Sequence, residues 1–176
     1  VTGSSGKLTF GGTVKFESES QFVLNSDGTT VVGTFDYTGD NVLEAQESVT
    51  FESSTSKWGG GSVITVAEGA TLSYANNSEW ETEGTLTKTG GTMTWDSVVW
   101  SLEGGTTYSS DTPIKTETLS LNNYLLTLAS AGSDLTVTDN LTFDDSDEKI
   151  ITGDADLTLQ GGLTLGGGLL SSTGGT

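Results

Sequence analysis

Thr118-Leu119-Ser120-Leu121-Asn122-Asn123-Tyr124-Leu125-Leu126-Thr127-Leu128 opens a stretch, running to Leu170, in which one short pattern keeps returning. It comes back as Leu135-Thr136-Val137, Leu141-Thr142-Phe143, Leu157-Thr158-Leu159 and Leu163-Thr164-Leu165. Each triplet is apolar–polar–apolar, so an extended backbone sends two side chains to one face and the hydroxyl to the other. Three residues are too few to stand alone, so something must stack them. The spacing supplies the stack: 119 to 141, 141 to 163 and 135 to 157 are each 22 residues. A third apolar pair recurs between those marks, at Leu126 and then at Ile150-Ile151. Short strands that return at a fixed interval mark a β-solenoid. The pattern predicts a right-handed parallel β-helix of about eight coils, each of about 22 residues in three short strands, rising about 4.8 Å per coil.

The rest of the chain fits this frame more loosely. Leu8-Thr9-Phe10, Val14-Lys15-Phe16 and Phe22-Val23-Leu24 read as strands, with Val31 23 residues after Leu8 and Phe35 21 after Val14. Val42-Leu43-Glu44-Ala45-Gln46 is the one stretch with helical flavour, and it is too short to hold a helix by itself. From about Val49 to Ser110 strand-like pieces continue out of strict register, as insertions at solenoid turns would produce. Asp27-Gly28 between two apolar runs is a hairpin signal, and an antiparallel β-sandwich is the competing fold. A fixed 22-residue repeat has no reason to arise in a sandwich. With no linker and no break in composition, residues 1–176 read as a single domain. The ends carry no amphipathic cap. The expectation is therefore a piece of a longer solenoid, or one whose ends stack on further copies.

Composition narrows the function. The 176 residues contain no Cys and no His, and the six basic residues are all Lys against 24 Asp and Glu, a net charge of −18. Nucleic acid is disfavoured as a partner because phosphate binding needs clustered Lys and Arg. Membrane insertion is disfavoured too, since no apolar run approaches the roughly 20 residues of a span. An acidic, Thr-, Ser- and Gly-rich chain without Cys fits an extracellular or cell-surface protein. Asn76-Asn77-Ser78 and Asn140-Leu141-Thr142 are glycosylation sequons of the kind such a composition produces by chance.

Leu119-Ser120-Leu121-Asn122-Asn123-Tyr124-Leu125-Leu126-Thr127-Leu128, with Gly132-Ser133-Asp134-Leu135-Thr136-Val137, resembles the passenger regions of autotransporters and related right-handed β-helix adhesins. Those carry runs of the type L-x-L-N-G-x-x-L-T-L, and Asn123 stands here where that pattern has Gly. The likeness covers about a third of the chain. It implies a secreted or surface-exposed protein and carries no catalytic residue across.

Polysaccharide lyases and hydrolases also use β-helices, but their sites rely on Arg, Lys or His beside paired carboxylates. This chain has no Arg or His, and Asp144-Asp145 lacks partner motifs, so no catalytic residues are assigned and the chain reads as a non-enzyme. Asp144, Asp145, Asp147 and Glu148 form the densest acidic run, either a Ca²⁺ site or a solvated turn; the spacing matches no established Ca²⁺ motif. Trp80, Trp95, Trp100 and Tyr108 cluster in one region. Exposed, Trp95 and Trp100 would stack on sugar rings; inward, they would fill the core. The leading expectation is an extracellular structural or adhesive element, a fibre, stalk or filament subunit. The alternatives are a carbohydrate-binding module and, behind it, a polysaccharide-active enzyme.

Overall fold

The computed structural model describes residues 6–17, 19–75, 77–95 and 97–174. Among these the regular elements are strands, every pairing between them is parallel, and the chain forms a β-solenoid of about eight coils. That excludes the antiparallel sandwich. No helix long and apolar enough to cross a membrane occurs in the described residues. Val42–Ala45, the stretch with helical flavour, is a strand paired with Gln21–Leu24 on one side and with Val63–Val66 on the other. Neighbouring ladders override local propensity there. Asp27-Gly28 is no hairpin either. Gln21–Leu24 and Thr29–Tyr37 flank it without pairing, so Gly28 (φ 67°) turns a corner between faces.

The 22-residue interval holds where it was read, at Leu135↔Leu157 and Leu141↔Leu163. Leu126↔Ile150 pairs at 24, and at the N-terminal end Leu8↔Val31 and Val14↔Phe35 pair at 23 and 21. Elsewhere the interval runs from 19 (Val99↔Thr118) to 24 (Thr55↔Glu79). The coils average about 21 residues. The variation is confined to corners, with register shifts between Val66 and Thr71 and between Thr82 and Gly84. Several strands are longer than the triplet because they bend around a corner. Glu79–Trp95, for example, serves three runs of pairing in succession.

Three sets of inward ladders fill the core. One runs Phe22↔Leu43↔Ile64↔Lys88↔Ser110, and beside it Leu126↔Ile150↔Leu170. A second runs Leu8↔Val31↔Phe51↔Tyr74↔Trp95. A third runs Val14↔Phe35↔Ser56↔Trp80↔Trp100↔Leu119. After Ser110 the pairing divides. Ile114–Thr116, Leu135–Val137 and Leu157–Leu159 form a separate three-stranded sheet, and Leu141–Phe143 pairs with Leu163–Leu165 in a two-stranded one. The Leu-Thr-Leu triplets work as their alternation requires: Leu135, Val137, Leu141 and Phe143 are fully buried while Thr136 and Thr142 reach the surface.

Leu141 sits under the strand Thr118–Ser120 and over Leu163, with no exposure. Leu141→Ala should cost about 2–5 kcal/mol, and Leu141→Asp, which buries a charge without a partner, should melt the C-terminal coils. Thr142→Asp, one residue away and facing out, should stay within about 0.5 kcal/mol of the parent. Urea unfolding followed by far-UV circular dichroism separates the three, and a stable Leu141→Asp variant would refute the register.

Candidate functional site

The aromatic cluster divides between core and surface. Trp100 is only 1% exposed, and its indole N–H donates to Thr82 Oγ1 at 2.8 Å. It cannot offer a face to a sugar, and the expectation of a two-tryptophan platform is corrected to that extent. The reason is register. Trp100 follows Trp80 in an inward ladder, and the alternation that buries one buries the other. Tyr108 is buried with them, its phenol pushed well above its ordinary value by desolvation. Trp95 is different. It is the last ring of its ladder, stacked on Tyr74 at 5.6 Å and 19° and meeting Trp80 edge-on at 4.4 Å. It remains half-buried and lines a groove with Ser97, Lys115, Glu117, Thr138 and Gln160.

The fold places the groove's polar residues one coil apart. Thr138 N–H donates to Thr116 O, and Gln160 N–H donates to Val137 O at 2.9 Å, so Glu117, Thr138 and Gln160 occupy equivalent corner positions in three successive coils. Lys115 projects outward from the strand Ile114–Thr116 and is exposed. Lys7, Lys15, Lys57 and Lys88 form ion pairs with Glu52, Asp36, Glu81 and Asp111, whereas Lys115 forms none among the described residues. The spacing 95, 117, 138, 160 was present in the sequence, but it involves four residue types and no repeated motif, so it carried no signal by itself.

Among the described residues the acidic run does not assemble a cation site. Glu148 is buried, and its Oε2 accepts N–H bonds from Asp144 (2.6 Å) and Asp145 (3.3 Å), while Oε1 accepts one from Asn123 (3.4 Å). Asp145 Oδ1 accepts the Asp147 N–H at 2.9 Å. These carboxylates bond the backbone of their own turn and, through Glu148 Oε1, that of Asn123 in another turn. No group of three or more acidic side chains converges on a common point among the described residues. Asp144, Asp145, Asp147 and Glu148, the residues of the Ca²⁺ expectation, lie in one turn, with Glu148 and Asp145 bonded to backbone N–H groups. Of the two sequons, Asn140 is exposed, with its Oδ1 accepting Gly162 N–H at 2.6 Å; Asn76 lies outside the described residues.

Lys88 is a site that sequence reasoning missed. It occupies an inward position between Ile64 and Ser110, and its side chain has no exposure. The stem packs in the core and the ammonium reaches the corner. There it donates to Gly90 O (2.5 Å), Gly91 O (2.7 Å) and Asp111 Oδ1 (2.7 Å). Asp111 Oδ2 also accepts Gly90 N–H at 2.8 Å. Partial burial pushes the Asp111 carboxyl up, but the Lys88 ammonium and the Gly90 N–H outweigh it and hold the group below the usual carboxylate range. A lysine in a Leu/Ile ladder is tolerated only because every donor is met. No family model, curated protein or solved structure matches the chain.

Asp111→Asn leaves the ammonium buried with weaker acceptors. The expected loss is about 2 kcal/mol at pH 7, below the range for fully buried pairs because Asp111 is half exposed. A carboxyl with a depressed folded pKa stabilises fully above its unfolded value of about 3.9 and loses that contribution as pH falls through the folded value. The gap between parent and variant in urea unfolding should therefore narrow between pH 7 and pH 2. A gap independent of pH would remove the ion pair from the explanation.

Proposed function

We propose that the chain is a non-enzymatic structural element of an extracellular fibre, stalk or filament, extended by coil-on-coil stacking at its C-terminal end. The observation that carries this is the state of the last ladders. Leu163 and Leu165 continue the ladders of buried Leu141 and Phe143, and Leu170 continues that of buried Ile150. They are 42%, 60% and 37% exposed, with Leu169 beside them at 48%. These are core positions that no coil among the described residues covers. From Leu157 onward the sequence has no charged residue, although the chain as a whole carries −18. Edge protection by charged side chains is therefore absent at this end. It is present at the other, where the strand Lys7–Lys15 carries a lysine at each terminus.

The ends are also unequal in packing. Leu8, Phe10, Val14 and Phe16 are half-buried against the core, and Phe16 stacks on Tyr37 at 4.6 Å. Among the described residues the C-terminal leucines have no such cover. A neighbouring copy, or a neighbouring repeat of the same chain, would bury them and extend the parallel ladder. The acidic, Ser- and Thr-rich sides keep neighbouring rods apart, so growth is directed to the ends.

At low salt the parent should sediment as a monomer because like charges repel. At physiological salt, where the screening length is about 8 Å, it should form end-to-end dimers or rods visible by negative-stain electron microscopy. Leu165→Lys with Leu170→Lys should leave monomers at both salts without lowering the unfolding midpoint of the remaining coils. Monomeric parent at every salt and concentration would reject stacking between copies.

A further inference from the structure

We propose that the groove beside Trp95 binds a neutral pyranose glycan lying along the solenoid axis. The geometry of the aromatic ladder points there first. In the second ladder each ring covers the next, Phe51 on Tyr74 at 5.1 Å and Tyr74 on Trp95 at 5.6 Å. The ladder then stops. The next strand, Ile114–Thr116, belongs to a different sheet and carries no ring. Tyr74 stacks on the indole and Trp80 meets it at 69°, and among the described residues no third ring contacts it. A rigid, pre-positioned indole at a groove is a stacking platform for the apolar face of a sugar, and its fixed rotamer removes an ordering cost on binding.

The polar lining fits the same ligand. Glu117, Thr138 and Gln160 follow Trp95 at intervals of 22, 21 and 22 residues, one per coil. At about 4.7–4.9 Å per strand spacing the row extends about 14 Å along the axis. The step is close to the length of one pyranose unit, so successive hydroxyls of a linear chain meet a carboxylate, a hydroxyl and an amide in turn. Lys115 adds a donor free of any ion pair among the described residues. A few convergent polar groups around an aromatic floor are what orient a ligand in a concave site. Charge selects the class. A net charge of −18, with one lysine and one glutamate among the described residues that line the groove, repels a polyanionic chain and leaves a neutral one unpenalised. The site lies on the side of the rod, and at Gln160, just after the edge strand Leu157–Leu159, it reaches the last coil.

The test is titration of the full chain with cellohexaose, xylohexaose, mannohexaose and hexagalacturonate, read by calorimetry and by tryptophan emission. Trp58, Trp80 and Trp100 are buried, so a change in emission reports chiefly on Trp95. At least one neutral hexasaccharide should bind saturably. Trp95→Ala should weaken that binding at least about tenfold, and Thr138→Arg, which fills the groove from an outward position, should abolish it with the circular dichroism spectrum unchanged. If Trp95→Ala does not fold, Thr138→Arg and Gln160→Ala carry the test. Three outcomes overturn the proposal: no saturable response to any neutral hexasaccharide, binding undiminished in Thr138→Arg, or binding to hexagalacturonate alone.

Discussion

Everything in this molecule depends on parallel, in-register stacking of equivalent residues from coil to coil. Each inward side chain sits one strand spacing from its counterpart, so a ring is covered by a ring. Phe16, Tyr37 and Trp58 lie 4.6 and 4.2 Å apart with planes within 6° and 7° of parallel. A single residue inserted within a strand would turn every following side chain to the opposite face. Length variation is therefore forced into the corners, and the corners must absorb it without leaving backbone groups unpaired. Ser62 does this with one hydroxyl that reaches the carbonyls of Tyr37, Gly39 and Gly59 at 2.6–2.8 Å. Gly90 does it by conformation, with φ at +80° and so little room that a Cβ would lie 2.1 Å from Val66 O.

The same constraint explains which polar residues the core admits. Lys88 and the Thr82–Thr106 pair stand in inward positions, and each lies close enough to a corner for its polar atoms to find partners there. Thr82 Oγ1 accepts from Trp100 and lies 3.1 Å from Thr106 Oγ1, which in turn reaches Thr82 O at 3.0 Å. Replacing such groups by hydrocarbon would empty the carbonyls they serve, and leaving them without those carbonyls would strand a donor in the core. At Lys88, Thr82 and Thr106 polarity in the ladder is thus tied to corner geometry. They also tie one coil to the next: Thr82 is bonded to residues 18 and 24 positions away.

What could be read from the sequence follows directly from this. The C-terminal third was legible because its strands are single triplets separated by turns of constant length, so alternation and period appear together. The middle was harder because Gly61–Ala75 and Glu79–Trp95 bend through corners, and an apolar run there belongs to two faces at once. Trp95 and Trp100 could not be told apart, since both follow an alternating pattern; the difference is that Trp100 has Leu119 paired beyond it and Trp95, among the described residues, has no paired strand beyond it. Lys88 was invisible for a different reason. Alternation across Leu86-Thr87-Lys88 puts Lys88 on the same side as Leu86, but its charge argues for solvent, and only the Gly90–Gly91–Asp111 corner resolves the conflict. Glu148 shows the converse: four acidic residues in a run look like a ligand set, yet the turn they occupy consumes the buried one.

The groove and the change in core chemistry have a common origin. Before Ser110 the inward ladders are dominated by rings, including Phe35, Phe51, Trp58, Tyr74, Trp80, Trp100 and Tyr108; after it they are built from Leu, Val and Ile, with Phe143 the one ring among the buried residues. A core of indoles and phenols holds its sheets farther apart than a core of leucines, because close packing leaves no slack to hide the difference. The break falls between Trp95 and Ile114–Thr116, where hydrogen bonding passes from the 13-stranded sheet to the separate three-stranded one. The step leaves the last ring of the second ladder half covered and sets a trough beside it. A change in inward residue size, made for packing, is enough to create a recess on the side of an otherwise regular rod.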